Sequence, residues 1–233
     1  MLFIGDVHGK LDEYEAILKE HRFKESGQWE LSYALGDMGI GFPKHPDITK
    51  GYERVHTYEH PNATTLTHAS LPHYFIRGNH DNPEVCQTTT GYLGEYGFKS
   101  PAWGANLFFV SGAASIDREF RTEGVSWWEG EELPYQILTE CLDTWKGFAD
   151  RIEVVISHTC PKFVLEEVFH THARPSRTEH MLQGMWETRG KRLAYWVFGH
   201  LHRSYRRRVN GVWFIGLDEL EHITLDDLHT AYV

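Results

Sequence analysis

Gly78-Asn79-His80-Asp81 sits just beyond the apolar run Tyr74-Phe75-Ile76. An amide, an imidazole and a carboxylate on one tight turn can bind a cation, pass a proton or orient one another. The same pattern, an apolar run and then a polar turn, recurs four times. Leu2-Phe3-Ile4 leads into Gly5-Asp6-Val7-His8-Gly9, Tyr33-Ala34-Leu35 into Gly36-Asp37, Val154-Val155-Ile156-Ser157 into His158, and Tyr195-Trp196-Val197-Phe198 into Gly199-His200-Leu201-His202. These segments supply three Asp, one Asn and five His. Asp-x-His and His-x-His spacing lets two side chains approach one cation from a single turn. Imidazole and carboxylate donors without thiolate suit Mn²⁺, Fe, Zn²⁺ or Ni²⁺ better than Ca²⁺ or a structural zinc cage.

Positioning these turns requires an α/β layered framework in which ligands gather at the carboxyl ends of strands. After the first turn, Leu11, Tyr14, Ile17 and Leu18 recur at helical spacing, while Glu13, Glu15, Lys19 and Glu20 face elsewhere. Leu107-Phe108-Phe109-Val110 reads as another buried strand. Leu133 to about Phe148 reads as a helix with Pro134 near its first turn, and two further helices are expected between about Phe163 and Lys191. Asn210-Gly211 between Arg207-Arg208-Val209 and Val212-Trp213-Phe214-Ile215 signals a hairpin.

Other residues have competing readings. Residues 39–70 read as a long surface excursion, and its His45, His56 and His60 are taken as exposed or capping. His170-Thr171-His172 has chelate spacing but lies away from a strand end, which favours a structural or surface role. Arg118 and Arg121 can clamp a substrate phosphate through paired hydrogen bonds or join the surrounding acids in salt bridges. Trp127 and Trp128 can stack on an aromatic group, although packing of a covering segment is the preferred reading.

The 233 residues, 41% hydrophobic and 14% aromatic with 24% charged, suit one globular domain spanning 1–233. A net charge of -10 argues against a general nucleic-acid binder, which needs a basic face. Cys86, Cys141 and Cys160 are an odd number without close pairing, which fits a reducing compartment. The first strand already carries site residues, which leaves no cleavable signal, and no apolar run nears the roughly 20 residues of a membrane span. Cytoplasmic location and no membrane partner are the expectation.

The five motifs together resemble the calcineurin-like metallophosphoesterase superfamily over about residues 2 to 202. The resemblance implies a four-layer α/β/β/α sandwich with a dimetal site at the strand C-terminal ends. It implies that Asp6, His8 and His202 hold one ion, that Asn79, His158 and His200 hold the other, and that Asp37 bridges both. His80 would face the leaving group as a catalytic residue, with Asp81 orienting its ring. Two divalent ions, Mn²⁺ foremost, would let a metal-bridging hydroxide attack a phosphoester. The expected substrate is a phosphodiester, a nucleotide or another small phosphorylated molecule.

Phosphoprotein phosphatases of this superfamily continue Gly-Asp into an Arg-containing stretch and carry Glu after Asn-His. Here Met38-Gly39-Ile40 and Asp81 stand instead, which moves the expectation away from that subgroup. A nuclease is disfavoured by the acidic balance. A non-catalytic binding scaffold on the same fold is the alternative from another class, and it is opposed by the presence of every expected ligand.

Overall fold

The computed structural model describes residues 1–21, 31–41, 73–101, 104–170 and 174–231. His45, His56, His60 and His172 lie outside the described residues. Among the described residues, ten strands form two sheets. The first runs β10-β1-β2-β3, from β1 (Leu2–Ile4), β2 (Ser32–Ala34), β3 (His73–Phe75) and β10 (His222–Thr224). The second runs β4-β5-β6-β7-β9-β8, from β4 (Tyr96–Lys99), β5 (Leu107–Val110), β6 (Val154–Ser157), β7 (Tyr195–Phe198), β8 (Tyr205–Val209) and β9 (Val212–Gly216). The strands that carry the motifs are parallel within each sheet, so their carboxyl ends emerge along the same edge.

Period-two alternation of apolar residues sorts each strand between two cores. Phe3 and Tyr33 of the first sheet meet Leu107, Phe109, Val154, Ile156, Val197 and Ile215 of the second in an inter-sheet core. Their chain neighbours face outward. Leu2, Ile4, Ala34 and Phe75 pack with Tyr14 and Leu18 of helix α1 (Leu11–Glu20) and with Cys86 of helix α2 (Pro83–Thr88). On the far side, Phe108, Val155, Trp196, Phe198 and Phe214 cluster with residues of α3 (Tyr135–Phe148), α4 (Lys162–Phe169) and α5 (Arg177–Glu187). The result is the expected α/β/β/α layering.

Local chemistry sets the element ends. Asn82 caps α2 by accepting from Glu84 and Val85, with Pro83 at the first helical position. Pro134 is the residue before α3. Ser176 and Glu179 form a capping box at the start of α5. Asn210 (φ 47°) and Gly211 (φ 88°) make the two-residue turn between β8 and β9, and both adopt the left-handed geometry that a type I′ hairpin demands. The last described element is α6 (Leu225–Ala231). Among the described residues no helix is long and apolar enough to cross a membrane, and all three cysteines are free and buried.

Candidate metal centre

The loops after β1, β2, β3, β6 and β7 are tied into one floor by their own backbones. The Asp37 carbonyl accepts from the amides of Val7 and His8 at 3.2 and 2.7 Å, and the Met38 carbonyl accepts from Gly9 at 3.1 Å. The His158 carbonyl accepts from Gly199 at 2.9 Å. His8, Asp37, His200 and His202 all have positive φ, between 46° and 64°. Each costs roughly 1–2 kcal/mol for a residue with a Cβ, and such strain concentrates at functional sites. Gly78 admits no side chain, because a Cβ there would collide with the Asp37 carboxylate and the His158 ring.

Asp6, His8, Asp37 and His202 offer ligand atoms that all lie within 4.8 Å of one another. His8 Nε2 is 3.7 Å from Asp37 Oδ2 and 3.2 Å from His202 Nε2, and His202 Nε2 is 3.3 Å from Asp6 Oδ2. A second group adjoins it. Asn79 Oδ1 lies 3.1 Å from His158 Nε2 and 3.0 Å from His200 Nδ1, and His158 Nε2 is 3.3 Å from Asp37 Oδ1. Asp37 thus turns one oxygen toward each group. All seven expected ligands converge.

Orientation comes from the next layer out. His158 Nδ1 is 2.7 Å from the Leu35 carbonyl, which can only accept, so a proton sits on Nδ1 and Nε2 is the ring atom that would serve a metal once it gives up its own proton. The Asn79 amide nitrogen donates to Ser115 Oγ at 3.1 Å, which turns its oxygen inward, and Ser115 Oγ donates to Glu131 Oε2 at 2.6 Å.

Asp6, Asp37 and His158 are almost wholly buried. Burial pushes the Asp6 carboxyl up to about 8, against the pull of His158 and with Asp37 adding to the rise. Burial acts on Asp37 in the same direction, but His158, His80 and His8 hold it well below the usual carboxylate range. Burial opposes a charged His158, yet Asp37 and Asp6 raise it to about 9. Two buried carboxylates among imidazoles form a donor set that fits divalent cations, whose charge removes the cost of burying both anions.

His80 and Asp81 part company. Asp81 Oδ1 accepts from the amides of Gly39 and Ile40, and Oδ2 accepts from Met38 and Gly78. Its carboxylate therefore braces the loops after β2 and β3, in place of the expected service to the His80 ring. His80 Nε2 lies 2.9 Å from Arg121, whose guanidinium is held by Asp117 Oδ1 at 2.6 Å and by the Ser126 carbonyl. Arg121 thus lies beside His80. Arg118 lies 3.8 Å over the Trp127 ring, and Trp127 is buried, in line with the packing reading. His170 is exposed at the end of α4, away from the centre.

Ser115, Glu131 and Arg77 carry no local sequence signal of a role at this centre. Arg77 is buried, pairs with Glu95 at 2.8 Å and donates to the Glu131 carbonyl at 2.7 Å. Glu131 stands in an acidic run that reads as solvated surface, and nothing local to it signals that its side chain turns inward.

The sequence profile of calcineurin-like phosphoesterases matches residues 1–204. No curated protein matches the chain. Among solved structures, a dimetal phosphatase of Danio rerio is similar at TM-score 0.59 and 12% identity, covering 95% of this chain and 88% of its own. A Thermus thermophilus protein is similar at TM-score 0.53 and 12% identity, covering 94% and 90%. A putative 5′-nucleotidase of Staphylococcus aureus is similar at TM-score 0.57 and 14% identity, and this chain spans 97% of itself but only 51% of that protein. Such distant likenesses carry the fold alone; with five motif loops meeting at one buried cluster and a family profile over most of its length, the chain belongs to the calcineurin-like phosphoesterase family.

Proposed function

We propose that this protein is a dimetal hydrolase of small phosphorylated molecules, with phosphodiesters and nucleotides ahead of phosphoproteins, and that residues 1–233 act as one domain. The observation that carries the reading is Asp37, whose two oxygens face two separate ligand groups. A buried carboxylate so placed suits a bridge between two ions. Asp6, His8 and His202 would complete one ion's ligands, and Asn79, His158 and His200 the other's. Mn²⁺ is the first choice for these oxygen and nitrogen donors, with Fe, Zn²⁺ and Ni²⁺ also suited. Pairing of β10 with β1 brings the end of the described chain back to its start and supports the single domain. Three free buried cysteines suit a reducing compartment, which agrees with a cytoplasmic location.

When bound, the ions supply the Lewis acidity that activates water and neutralises charge on the phosphoryl oxygens. The chain's own residues do the rest. Asn79 ligates without adding charge, which keeps the centre attractive to an anion. His80 faces the leaving group. Its Nε2 accepts from Arg121 here, so the ring is neutral and stabilises the departing oxygen only when Nε2 carries the proton and Arg121 turns toward substrate.

Metal-stripped protein resupplied with Mn²⁺ should release product from model monoesters and diesters, and the preferred partner narrows the substrate class. Asp37→Asn should lose nearly all turnover with the fold intact. Full activity in that variant would remove the assigned centre.

A further inference from the structure

The segment leaving β5 folds back beside the metal centre and forms one wall of a cleft of about 570 Å³. Three arginines line it, Arg118, Arg121 and Arg174, against two acids, Glu119 and Glu123. Asp117 pairs with Arg121, which leaves Arg118 and Arg174 as the remaining cations of the cleft. Arg121 connects the cleft to the chemistry, because the guanidinium that lines it also lies 2.9 Å from His80 Nε2. The cleft is therefore joined through Arg121 to His80, where on the proposed reading a departing oxygen would leave.

Its surfaces are held in place. Asp117 and the Ser126 carbonyl hold Arg121 in this arrangement, and Arg118 lies 3.8 Å over the buried ring of Trp127. A guanidinium stacked on an aromatic ring keeps its edge N–H groups free to fork onto an anion. Beside these cations are two large apolar side chains in water: Ile116, 92% exposed, lines the cleft, and Phe120, 84% exposed, lies between Arg118 and Arg121 in the sequence. Cationic forks beside exposed apolar side chains match a ligand that is anionic at one point and apolar or planar over the rest.

We infer that this cleft receives the leaving group and selects phosphate esters whose leaving group carries its own negative charge on an apolar or planar frame. The inference rests on the phosphoesterase reading and adds the substrate class to it. The anionic group can be a carboxylate or a second phosphate, since both present oxygens to a guanidinium in the same way.

The test uses 3-carboxyphenyl phosphate and 3-carbamoylphenyl phosphate, which share the scissile ester and the ring and differ in the charge of one substituent. The full-length manganese-loaded protein should show kcat/KM at least tenfold higher for the carboxylate. Arg118→Gln and Arg174→Gln should each reduce that ratio severalfold. A wild-type ratio within twofold of one, or a ratio unchanged in both variants, would overturn the inference.

If neither ester is hydrolysed, the cleft is judged apart from turnover, by calorimetry on the unloaded protein with 3-hydroxybenzoate and 3-hydroxybenzamide. Preference for the benzoate, lost in Arg174→Gln, would sustain the anion site; equal or absent binding would refute it. A concentration-dependent dimer that Phe120→Asp dissociates, without change in the ratio, would assign the apolar side chains to a second copy and overturn that half of the inference.

Discussion

Asp37 shows how much one residue can carry: its backbone carbonyl holds the loop after β1, while its carboxylate faces both ligand groups. His80, proposed to face the leaving group, is tested by its removal. His80→Ala should reduce turnover by about 10²-fold or more with poor leaving groups and far less with nitrophenolate. Equal losses on both would make His80 a substrate-positioning residue. Asp81 is judged by a different readout. In Asp81→Asn an amide NH₂ would point at backbone N–H donors where two now meet a carboxylate oxygen, so at least one buried donor loses its acceptor. Denaturant unfolding should register a loss of about 1–3 kcal/mol. A variant as stable as wild type would mean that the bracing is dispensable.

Elements contribute through their ends. The loop carrying Ser115 and the turn carrying Glu131 meet only in the folded chain, and their hydrogen-bonded relay aims the Asn79 oxygen at His158 and His200. Glu131→Ala should therefore weaken metal binding without touching any ligand; an unchanged manganese affinity would show that Asn79 holds its orientation unaided. At the start of α5, buried Glu179 accepts from the Ser176 amide and the Thr159 hydroxyl. Burial raises its pKa above the ordinary glutamate range, against those hydrogen bonds. A carboxyl that binds its proton more tightly when folded favours folding below its unfolded pKa, and that contribution is lost as pH rises through the folded value. Glu179→Gln should accordingly flatten part of the decline in stability between acid and neutral pH. The same slope in wild type and variant would place the titration elsewhere.

Across the whole molecule, what could be read in advance follows the range of the forces involved. The strand-end turns were legible because an apolar run followed by Gly-Asp or Gly-His is a local signal, and α/β topology sends such ends to one edge. The Asn210-Gly211 hairpin and the helices α1, α3, α4 and α5 were legible for the same reason. The work of Asp81 was not, since its four donors include three amides from residues 38–40, distant in sequence. Ser115 and Glu131 were hidden because an inward-turned acid in an acidic run looks like its solvated neighbours. The layering puts these distant contacts within reach by stacking two sheets on one apolar core.

The central claim, a two-ion centre bridged by Asp37, is tested most directly by counting ions. Equilibrium dialysis of metal-stripped protein against Mn²⁺, followed by elemental analysis, should give two ions per chain in the wild type and one or fewer in Asp37→Asn. A wild-type stoichiometry of one, or a variant that keeps both ions at unchanged affinity, would contradict the account.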